Sequence, residues 1–172
     1  KPMPTPLSPS CETSSGTLNP LDDIARVTAA RGRKLLIDAV STFGAFDLDP
    51  AWLGYEALAT SPNKCLEGVP GCAIIIAPEE ALRAAIGNAT SHSLDLADQW
   101  AQFEATGQWR FTPPTFVVAA LAEALRLAEQ AGGGCSVPIS DFWGGPGAAS
   151  TPDSPKSAAN LKRLGEHGDH MT

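Results

Sequence analysis

Short apolar runs alternate with segments of helical periodicity between residues 11 and 131 of this 172-residue chain. The runs at 34–37, 55–59 and 72–77 predict β-strands, and the first of them ends at Asp38. The segments that predict helices are 19–32, 49–53, a stretch that starts at 78, 94–103 and 115–130. Strands that alternate with helices predict an α/β fold with a mostly parallel sheet and flanking helices.

The two ends of the chain lack this pattern. Prolines occupy positions 2, 4, 6 and 9, so residues 1–10 are predicted to form an irregular N-terminal segment without a regular element. Glycine, proline and serine dominate residues 132–172, which predicts a poorly ordered C-terminal tail. The ordered part of the chain is therefore expected to be 11–131.

Composition narrows the possible partners. A net charge of -7 argues against binding to a nucleic-acid backbone or to an anionic membrane surface. No apolar run approaches the roughly 18 residues of a membrane span. The four cysteines, Cys11, Cys65, Cys72 and Cys135, do not form CxxC pairs, which favours free thiols in a reducing, cytoplasmic compartment.

Neither of two other patterns near the C-terminus predicts a binding site. Residues 166–170 (Glu-His-Gly-Asp-His) resemble a metal site superficially, but they lie close to the end of the chain without a packed shell, so we expect no metal. Residues 144–147 (Gly-Gly-Pro-Gly) lack the preceding strand and following helix of a phosphate loop.

An acid that ends one strand and a lysine that follows the next strand suit pyridoxal phosphate. Asp38 occupies the strand end where open α/β sheets bind ligands, and an acid there can keep a pyridine nitrogen protonated. Lys64, 26 positions later, can reach the same edge and form an imine if its amine loses a proton. A turn aspartate and a solvated lysine are the ordinary alternatives.

Two hydroxyl-rich segments could assist such a ligand. Residues 11–16 (Cys-Glu-Thr-Ser-Ser-Gly) could donate to a phenolic oxygen or a phosphate, although local turns use the same residues. Residues 110–115 (Arg-Phe-Thr-Pro-Pro-Thr) precede a predicted helix and could bind an anion, although ordinary helix capping is the simpler account.

Together these segments resemble the class V, fold-type I aminotransferases, which depend on pyridoxal 5'-phosphate. The matching sequence motifs are 11–16, 19–22 (Asn-Pro-Leu-Asp), 37–44 (Ile-Asp-Ala-Val-Ser-Thr-Phe-Gly), 61–71 (Ser-Pro-Asn-Lys-Cys-Leu-Glu-Gly-Val-Pro-Gly), 93–96 (Ser-Leu-Asp-Leu), 99–100 (Gln-Trp) and 109–115 (Trp-Arg-Phe-Thr-Pro-Pro-Thr). The resemblance covers about 11–131 and implies part of the large domain of an aspartate aminotransferase-like fold.

The resemblance also implies roles for the residues that face the cofactor ring. Lys64 would bind the cofactor aldehyde as an imine and then move a proton between substrate and cofactor carbons. Asp38 would hold the pyridinium nitrogen, and Val40 would pack against one face of the ring.

Three further residues acquire a role by the same resemblance. Thr13 would bond near the phenolic oxygen, and Asn63 would lie close to the cofactor phosphate. Thr112 would reach the phosphate of the cofactor in a partner subunit, so the resemblance implies a homodimer.

The implied reaction moves an amino group from a small amine to a keto acid. The motifs around Lys64 and Arg110 resemble those of the family members that act in phosphonate catabolism. In that reaction 2-aminoethylphosphonate and pyruvate give phosphonoacetaldehyde and alanine. A glyoxylate-using class V enzyme with alanine or serine as donor is an alternative, and so is a non-catalytic remnant.

The chain departs from the family in its length. Family members are about twice as long, and the first strands, the phosphate cup and the arginine that grips the substrate carboxylate have no counterpart here. The expectation is a truncated chain with an incomplete large domain, which alone turns over aminoethylphosphonate poorly or not at all.

Overall fold

The computed structural model describes residues 5–131. The strands are β1 (Leu7–Pro9), β2 (Cys11–Glu12), β3 (Thr17–Leu18), β4 (Leu36–Asp38), β5 (Ala57–Thr60) and β6 (Ile74–Ile76). The helices are α1 (Leu21–Ala30), α2 (Pro50–Leu53), α3 (Glu79–Ala84), α4 (Leu96–Thr106) and α5 (Thr115–Gln130).

A four-stranded mixed sheet organises these elements. Its strand order is β1-β4-β5-β6, with β4 parallel to both of its neighbours and β6 antiparallel to β5. Asp38 lies opposite Pro9 on one side and Ala59 on the other. The predicted α/β class with a mostly parallel sheet is confirmed.

The prediction of an irregular N-terminal segment is wrong at β1. Leu7–Pro9 pairs with β4, and the amide of Leu36 donates to the carbonyl of Pro6 at 3.0 Å. Proline lacks an amide hydrogen but keeps its carbonyl, so it can take part in an edge strand whose amide side needs no partner. Missing amide donors therefore do not prevent this segment from pairing, since its carbonyl acceptors remain.

The hydroxyl-rich turn at 11–16 is part of a small hairpin that the sequence did not predict. β2 and β3 pair antiparallel, with Cys11 opposite Leu18. Gly16 adopts a φ of 70° in the connection, a conformation that glycine reaches without a steric penalty.

Helix α1 presents to the core the face that its sequence predicts. Ala25 and Thr28 are buried, and Leu21 and Ile24 pack against the core. Asn19, just before the helix, does not cap it with its side chain, which donates instead to the carbonyl of Pro9 at 2.8 Å. The asparagine therefore ties the start of α1 to β1.

The hydrophobic core lies between the sheet, α1 and α2. Its members come from α1, β4, α2 and β5 and from the segments beside them: Ala25, Leu35, Ile37, Ala39, Leu48, Leu53, Tyr55 and Leu58. Short helix α2 is set by local signals, since the Asp49 side chain accepts from the amide of Ala51 at 2.8 Å and Gly54 ends it at a φ of 59°.

Helices α3 to α5 lie outside that core. The ends of α4 follow local rules, with the Asp95 side chain accepting from the amide of Asp98 at 3.0 Å and Gly107 closing the helix. Val118, Leu121, Leu125 and Ala128 form an apolar stripe along α5, but none of them is buried within the described residues, and Val118 is 42% exposed. Periodicity identified α5 as a helix, but it did not show what the stripe packs against.

Three further findings concern the described residues. None of the helices between residues 5 and 131 combines the length and hydropathy of a membrane span. Cys11, Cys65 and Cys72 carry free thiols, and Cys135 lies outside the described residues. The predicted tail at 132–172, with its possible metal site, also lies outside them.

Candidate active site

Three chain segments leave the same edge of the sheet. They are the segment after β1, the segment after β4 and the segment after β5. Because these three strands are parallel neighbours, their carboxyl ends point the same way, and the segments that follow them start side by side. Asp38 ends β4, and Thr13, Val40, Asn63 and Lys64 lie on these segments.

Asp38 is the last residue of β4, and its main chain is held firmly. Its carbonyl accepts two hydrogen bonds from Ser10, one from the amide at 2.8 Å and one from the hydroxyl at 2.9 Å. Its side chain is exposed, and Oδ1 accepts from the amide of Val40 at 3.0 Å. One carboxylate oxygen is thus fixed in a turn, while the carboxylate as a whole remains open to solvent.

Lys64 lies on a tight loop with buried flanks. The amide of Gly68 donates to the carbonyl of Pro62 at 2.7 Å and closes the loop. A Cβ at Gly68 would lie 3.0 Å from that same carbonyl oxygen, so a larger residue there would force the loop open. Pro62 and Cys65 are buried and Lys64 is half-buried, which fixes where the lysine stem leaves the protein.

A left-handed residue shapes the second half of this loop. Glu67 has a φ of 59°, and its amide donates to the carbonyl of Lys64 at 2.8 Å. A non-glycine residue in this region costs on the order of 1 kcal/mol, and such strain is concentrated at functional sites. Neighbouring Leu66 is buried, and its Cδ2 lies 3.1 Å from where a Cβ on Gly44 would be.

Ser41 joins the three segments. Its hydroxyl lies 3.2 Å from that of Thr13, and its carbonyl accepts from the thiol of Cys65 at 3.5 Å. The segment that carries Asp38 and Ser41 therefore contacts both the segment that carries Thr13 and the segment that carries Lys64. Sequence reasoning missed Ser41, although a hydroxyl pair (Ser41 and Thr42) just after the candidate acid is a readable signal.

The structure brings five of the six predicted site residues to this edge. Asn63 and Val40 are half-buried beside the lysine and the acid respectively, and Thr13 is exposed. Thr112 is exposed on a different segment, between α4 and α5. Within one chain, Thr112 thus does not belong to the group formed by the other five.

Arg110 holds the segment that carries Thr112. Its guanidinium donates to the carbonyls of His92 at 3.1 Å and Asp95 at 3.3 Å, and lies 3.3 Å from the Asp98 carboxylate. Only 11% of the Arg110 side chain is exposed. These contacts commit the arginine to fixing the start of α4, which weakens the idea that residues 110–115 form an anion site.

The thiol of Cys11, in β2, has a raised pKa. Burial raises the pKa of Cys11, and the negative charge of Glu12 raises it further. A thiol with a raised pKa is a poor nucleophile at neutral pH. In the part of the chain that the structure describes, no group of three or more metal-ligating side chains is present.

The family model named "Aminotransferase class-V" matches residues 9–134. Over 123 residues the chain is 57% identical to "2-aminoethylphosphonate--pyruvate transaminase 1" of Paraburkholderia xenovorans strain LB400, which covers 72% of this chain and 32% of the relative. It is 54% identical to "2-aminoethylphosphonate--pyruvate transaminase" of Pseudomonas putida strain KT2440, with 72% and 33% covered. The chain thus spans about a third of the length of these curated relatives.

Solved structures show the same fold. Pyridoxamine-pyruvate aminotransferase from Mesorhizobium loti matches with a TM-score of 0.64 at 28% identity, over 80% of this chain and 34% of that one. Aspartate aminotransferase from Thermus thermophilus matches with a TM-score of 0.64 at 22% identity, over 80% and 37%, a likeness of fold alone. The described elements are those of part of an aminotransferase-like fold.

Proposed function

Because this chain belongs to the class V aminotransferases, we propose that it forms part of an enzyme that transfers the amino group of 2-aminoethylphosphonate to pyruvate. The products of that reaction are phosphonoacetaldehyde and alanine. The relatives named for this reaction are 54–57% identical to the chain over the matched residues. The observation that carries the proposal is that Asp38 and Lys64 lie at the same edge of the sheet, at the ends of the parallel neighbours β4 and β5. The turn that begins with Asp38 and Val40 leads to Ser41, whose carbonyl accepts from the thiol of Cys65, next to Lys64.

The residues at this edge fit pyridoxal phosphate. When bound, that cofactor supplies an aldehyde that condenses with amines and a ring that withdraws electrons from the substrate carbon. A ring of this kind needs an acceptor for its protonated nitrogen, and the exposed Asp38 carboxylate is one. It also needs an amine, and half-buried Lys64 offers one on a neighbouring loop.

Lys64 is the residue proposed to bind the aldehyde and then to move a proton at its Nζ. Its loop supports that role because Pro62, Cys65 and Leu66 are buried on either side of the lysine. A fixed stem limits the positions that the amine can sample, which favours proton transfer to one substrate atom.

The other site residues bind and orient. Val40 is proposed to contact the ring, Thr13 to donate to the phenolic oxygen and Asn63 to lie near the phosphate. The contact between Thr13 and Ser41 supports this arrangement, because it holds the Thr13 segment beside the acid.

Thr112 is proposed to serve the site of a second copy. It is exposed and apart from the other five residues, which is consistent with a role across a homodimer interface. The free thiols of Cys11, Cys65 and Cys72 favour a reducing compartment, and we propose a cytoplasmic location.

Borohydride trapping tests the proposal. The purified chain is mixed with pyridoxal phosphate, its absorbance spectrum is recorded, and the mixture is reduced with sodium borohydride and digested for mass spectrometry. The expected result is a visible absorbance band that depends on Lys64, and one cofactor-modified peptide that contains Lys64. Lys64→Ala should lose both, and Lys34→Ala, which removes an exposed lysine two residues before β4, should lose neither.

The donor is tested in the same experiment before reduction. Because sustained turnover by this chain alone is expected to be poor or absent, the test uses the half-reaction only: 2-aminoethylphosphonate without pyruvate should bleach the band, and serine should bleach it far more slowly. A band of equal strength in Lys64→Ala would refute the assignment of the lysine. Preferential bleaching by serine would instead assign the site to a different amino donor.

A further inference from the structure

A pair of buried hydroxyls lies directly beneath the candidate acid. Ser10 is 3% exposed and Thr42 is 1% exposed, and their side-chain oxygens are hydrogen-bonded to each other. The two residues lie 32 positions apart, one after β1 and one after β4. Buried polar groups of this kind are retained where their hydrogen bonds are satisfied.

The donor in this pair follows from the second hydrogen bond of Ser10, because a carbonyl oxygen can only accept. The Ser10 hydroxyl has one hydrogen, and it donates that hydrogen to the carbonyl of Asp38 at 2.9 Å. In the pair, Thr42 must therefore be the donor and Ser10 the acceptor. The bonds run in one sense from Thr42 to Ser10 to the main chain of Asp38.

Thr42 is itself fixed by the turn that follows the acid. Its amide donates to the carbonyl of Ala39 at 3.1 Å, and its carbonyl accepts from the amide of Ala45 at 3.0 Å. The position of Thr42 is thus set by main-chain contacts, and its hydroxyl transmits that position to Ser10 and on to Asp38.

The position of the Asp38 carboxylate depends on the main chain of Asp38, because few contacts hold the side chain itself. The carboxylate is exposed, and it accepts a hydrogen bond from the amide of Val40, on the same turn. Where the carboxylate lies is consequently decided by where the carbonyl and Cα of Asp38 lie. Strand pairing fixes one side of β4 through Ala59, and on the other side the pairing with Pro9 is reinforced by the amide and hydroxyl of Ser10.

We propose that Ser10 and Thr42 are positioning residues, whose hydroxyls hold Asp38 in the place from which its carboxylate binds the protonated ring nitrogen of pyridoxal phosphate. The role of Asp38 rests on the proposed function. The hydroxyl pair and its hold on the main chain of Asp38 do not, and they can be tested without cofactor.

The test compares Thr42→Val, which keeps the shape of the side chain and removes the hydroxyl, with Thr42→Ser, which keeps the hydroxyl. Thr28→Val is the matched control, because Thr28 is also buried but lies in α1 away from the acid. Cofactor affinity is measured by absorbance titration, and the pH midpoint of the bound cofactor's visible band is measured for each variant.

Thr42→Val is expected to weaken cofactor binding about tenfold, the low end of the loss seen when supporting residues are removed from metal sites. It should also move the pH midpoint, since that midpoint responds to the charge beside the ring nitrogen. Thr42→Ser should restore both values, and Thr28→Val should change neither, even if it lowers stability. Unchanged affinity and midpoint in Thr42→Val would overturn the proposal.

A cofactor-free measurement separates this inference from the proposed function. Amide hydrogen exchange and chemical shifts are recorded for Ser10 and Val40, whose amides donate to the carbonyl and carboxylate of Asp38. Both amides should exchange faster in Thr42→Val than in Thr28→Val. If the wild-type chain forms no lysine-dependent band while the amides respond, the proposed function fails and the positioning role stands.

Ser10→Ala provides a second variant if Thr42→Val does not fold. It removes the hydroxyl but leaves the main-chain bond from Ser10 to Asp38, so a smaller change in the same direction is expected. Wild-type behaviour of the Val40 amide in whichever of the two variants folds would overturn the inference.

Discussion

The carboxylate of Asp38 combines a structural contact with an exposed charge. Its Oδ1 accepts from the amide of Val40, which holds the turn after β4, and the side chain is otherwise open to solvent. Asparagine at this position keeps an oxygen for the turn and loses the negative charge. The two roles can therefore be separated by a single substitution.

Asp38→Asn should weaken binding of pyridoxal phosphate about tenfold to a hundredfold. The reason is that a hydrogen bond to a charged group contributes roughly 1.5–3 kcal/mol, and each 1.4 kcal/mol is about tenfold in affinity. Absorbance titration measures the affinity, and thermal unfolding without cofactor should be nearly unchanged. Glu80→Gln, which removes an exposed charge on α3, is the control. Wild-type affinity in Asp38→Asn would exclude Asp38 as the partner of the ring nitrogen.

The buried phenol of Tyr55 makes the stability of the fold depend on pH. Burial raises the pKa of Tyr55 to about 12, and the charge of Asp49 adds to that effect. Because the folded state holds the phenolic proton more tightly than the unfolded state, its contribution to stability is complete below pH 10. That contribution is lost as the pH rises from about 10 towards about 12.

Urea unfolding at pH 9 and pH 11 checks this expectation. The wild-type chain should lose more stability between the two pH values than Tyr55→Phe, whose ring has no proton to lose. An equal loss in both proteins would show that the phenol of Tyr55 does not titrate differently in the folded state.

At the scale of elements, β4 and β5 join the site to the core. Alternate residues of these parallel strands point into the core, and Leu58 of β5 is 0% exposed. Their carboxyl ends carry the segments with Asp38 and Lys64. Packing along these two strands therefore stabilises the frame from which both candidate side chains project.

Leu58→Ala should lower the free energy of unfolding by about 2–5 kcal/mol, because it leaves a cavity in a packed core. Leu94→Ala makes the same chemical change at a side chain that is 77% exposed, and it should alter stability by less than about 0.5 kcal/mol. Urea titrations of both variants measure the difference. Equal effects would contradict the assigned core.

At the scale of the whole molecule, packing is uneven. The core is made of residues 25–58, from α1, β4, α2 and the start of β5, and α5 contributes no buried residue in the described structure. Helix α5 comes close to the loop after Lys64 at Gly71. A Cβ added to Gly71 would lie 2.7 Å from Cγ2 of Val117 in α5. Its contact with the rest of the fold is therefore close but local.

Hydrogen exchange should follow this division. Amides of β4 and β5 should exchange most slowly, and those of α5 should exchange faster, because local opening of α5 exposes little buried apolar surface. Exchange followed by mass spectrometry on dilute protein measures the order. Protection of α5 equal to that of β4 would show that the helix is covered in solution, for example by a second copy.

The sequence by itself determined the helices, the buried strands and the two candidate catalytic side chains. Helix ends are encoded within a few residues, as at Asp49, Asp95 and Gly107, so a local pattern is enough to predict them. The acid at Asp38 and the lysine at Lys64 were likewise identified from their place relative to apolar runs.

Only the tertiary structure decided how these parts meet. Strand β1 exists because β4 offers it a partner, and the contacts of Ser10 with Thr42 and of Ser41 with Cys65 join residues 32 and 24 positions apart. Bringing distant segments together costs conformational entropy, which is recovered only when the whole sheet and its core form. No local pattern carries that information, since each partner is chosen by the fold and not by its neighbours in the chain.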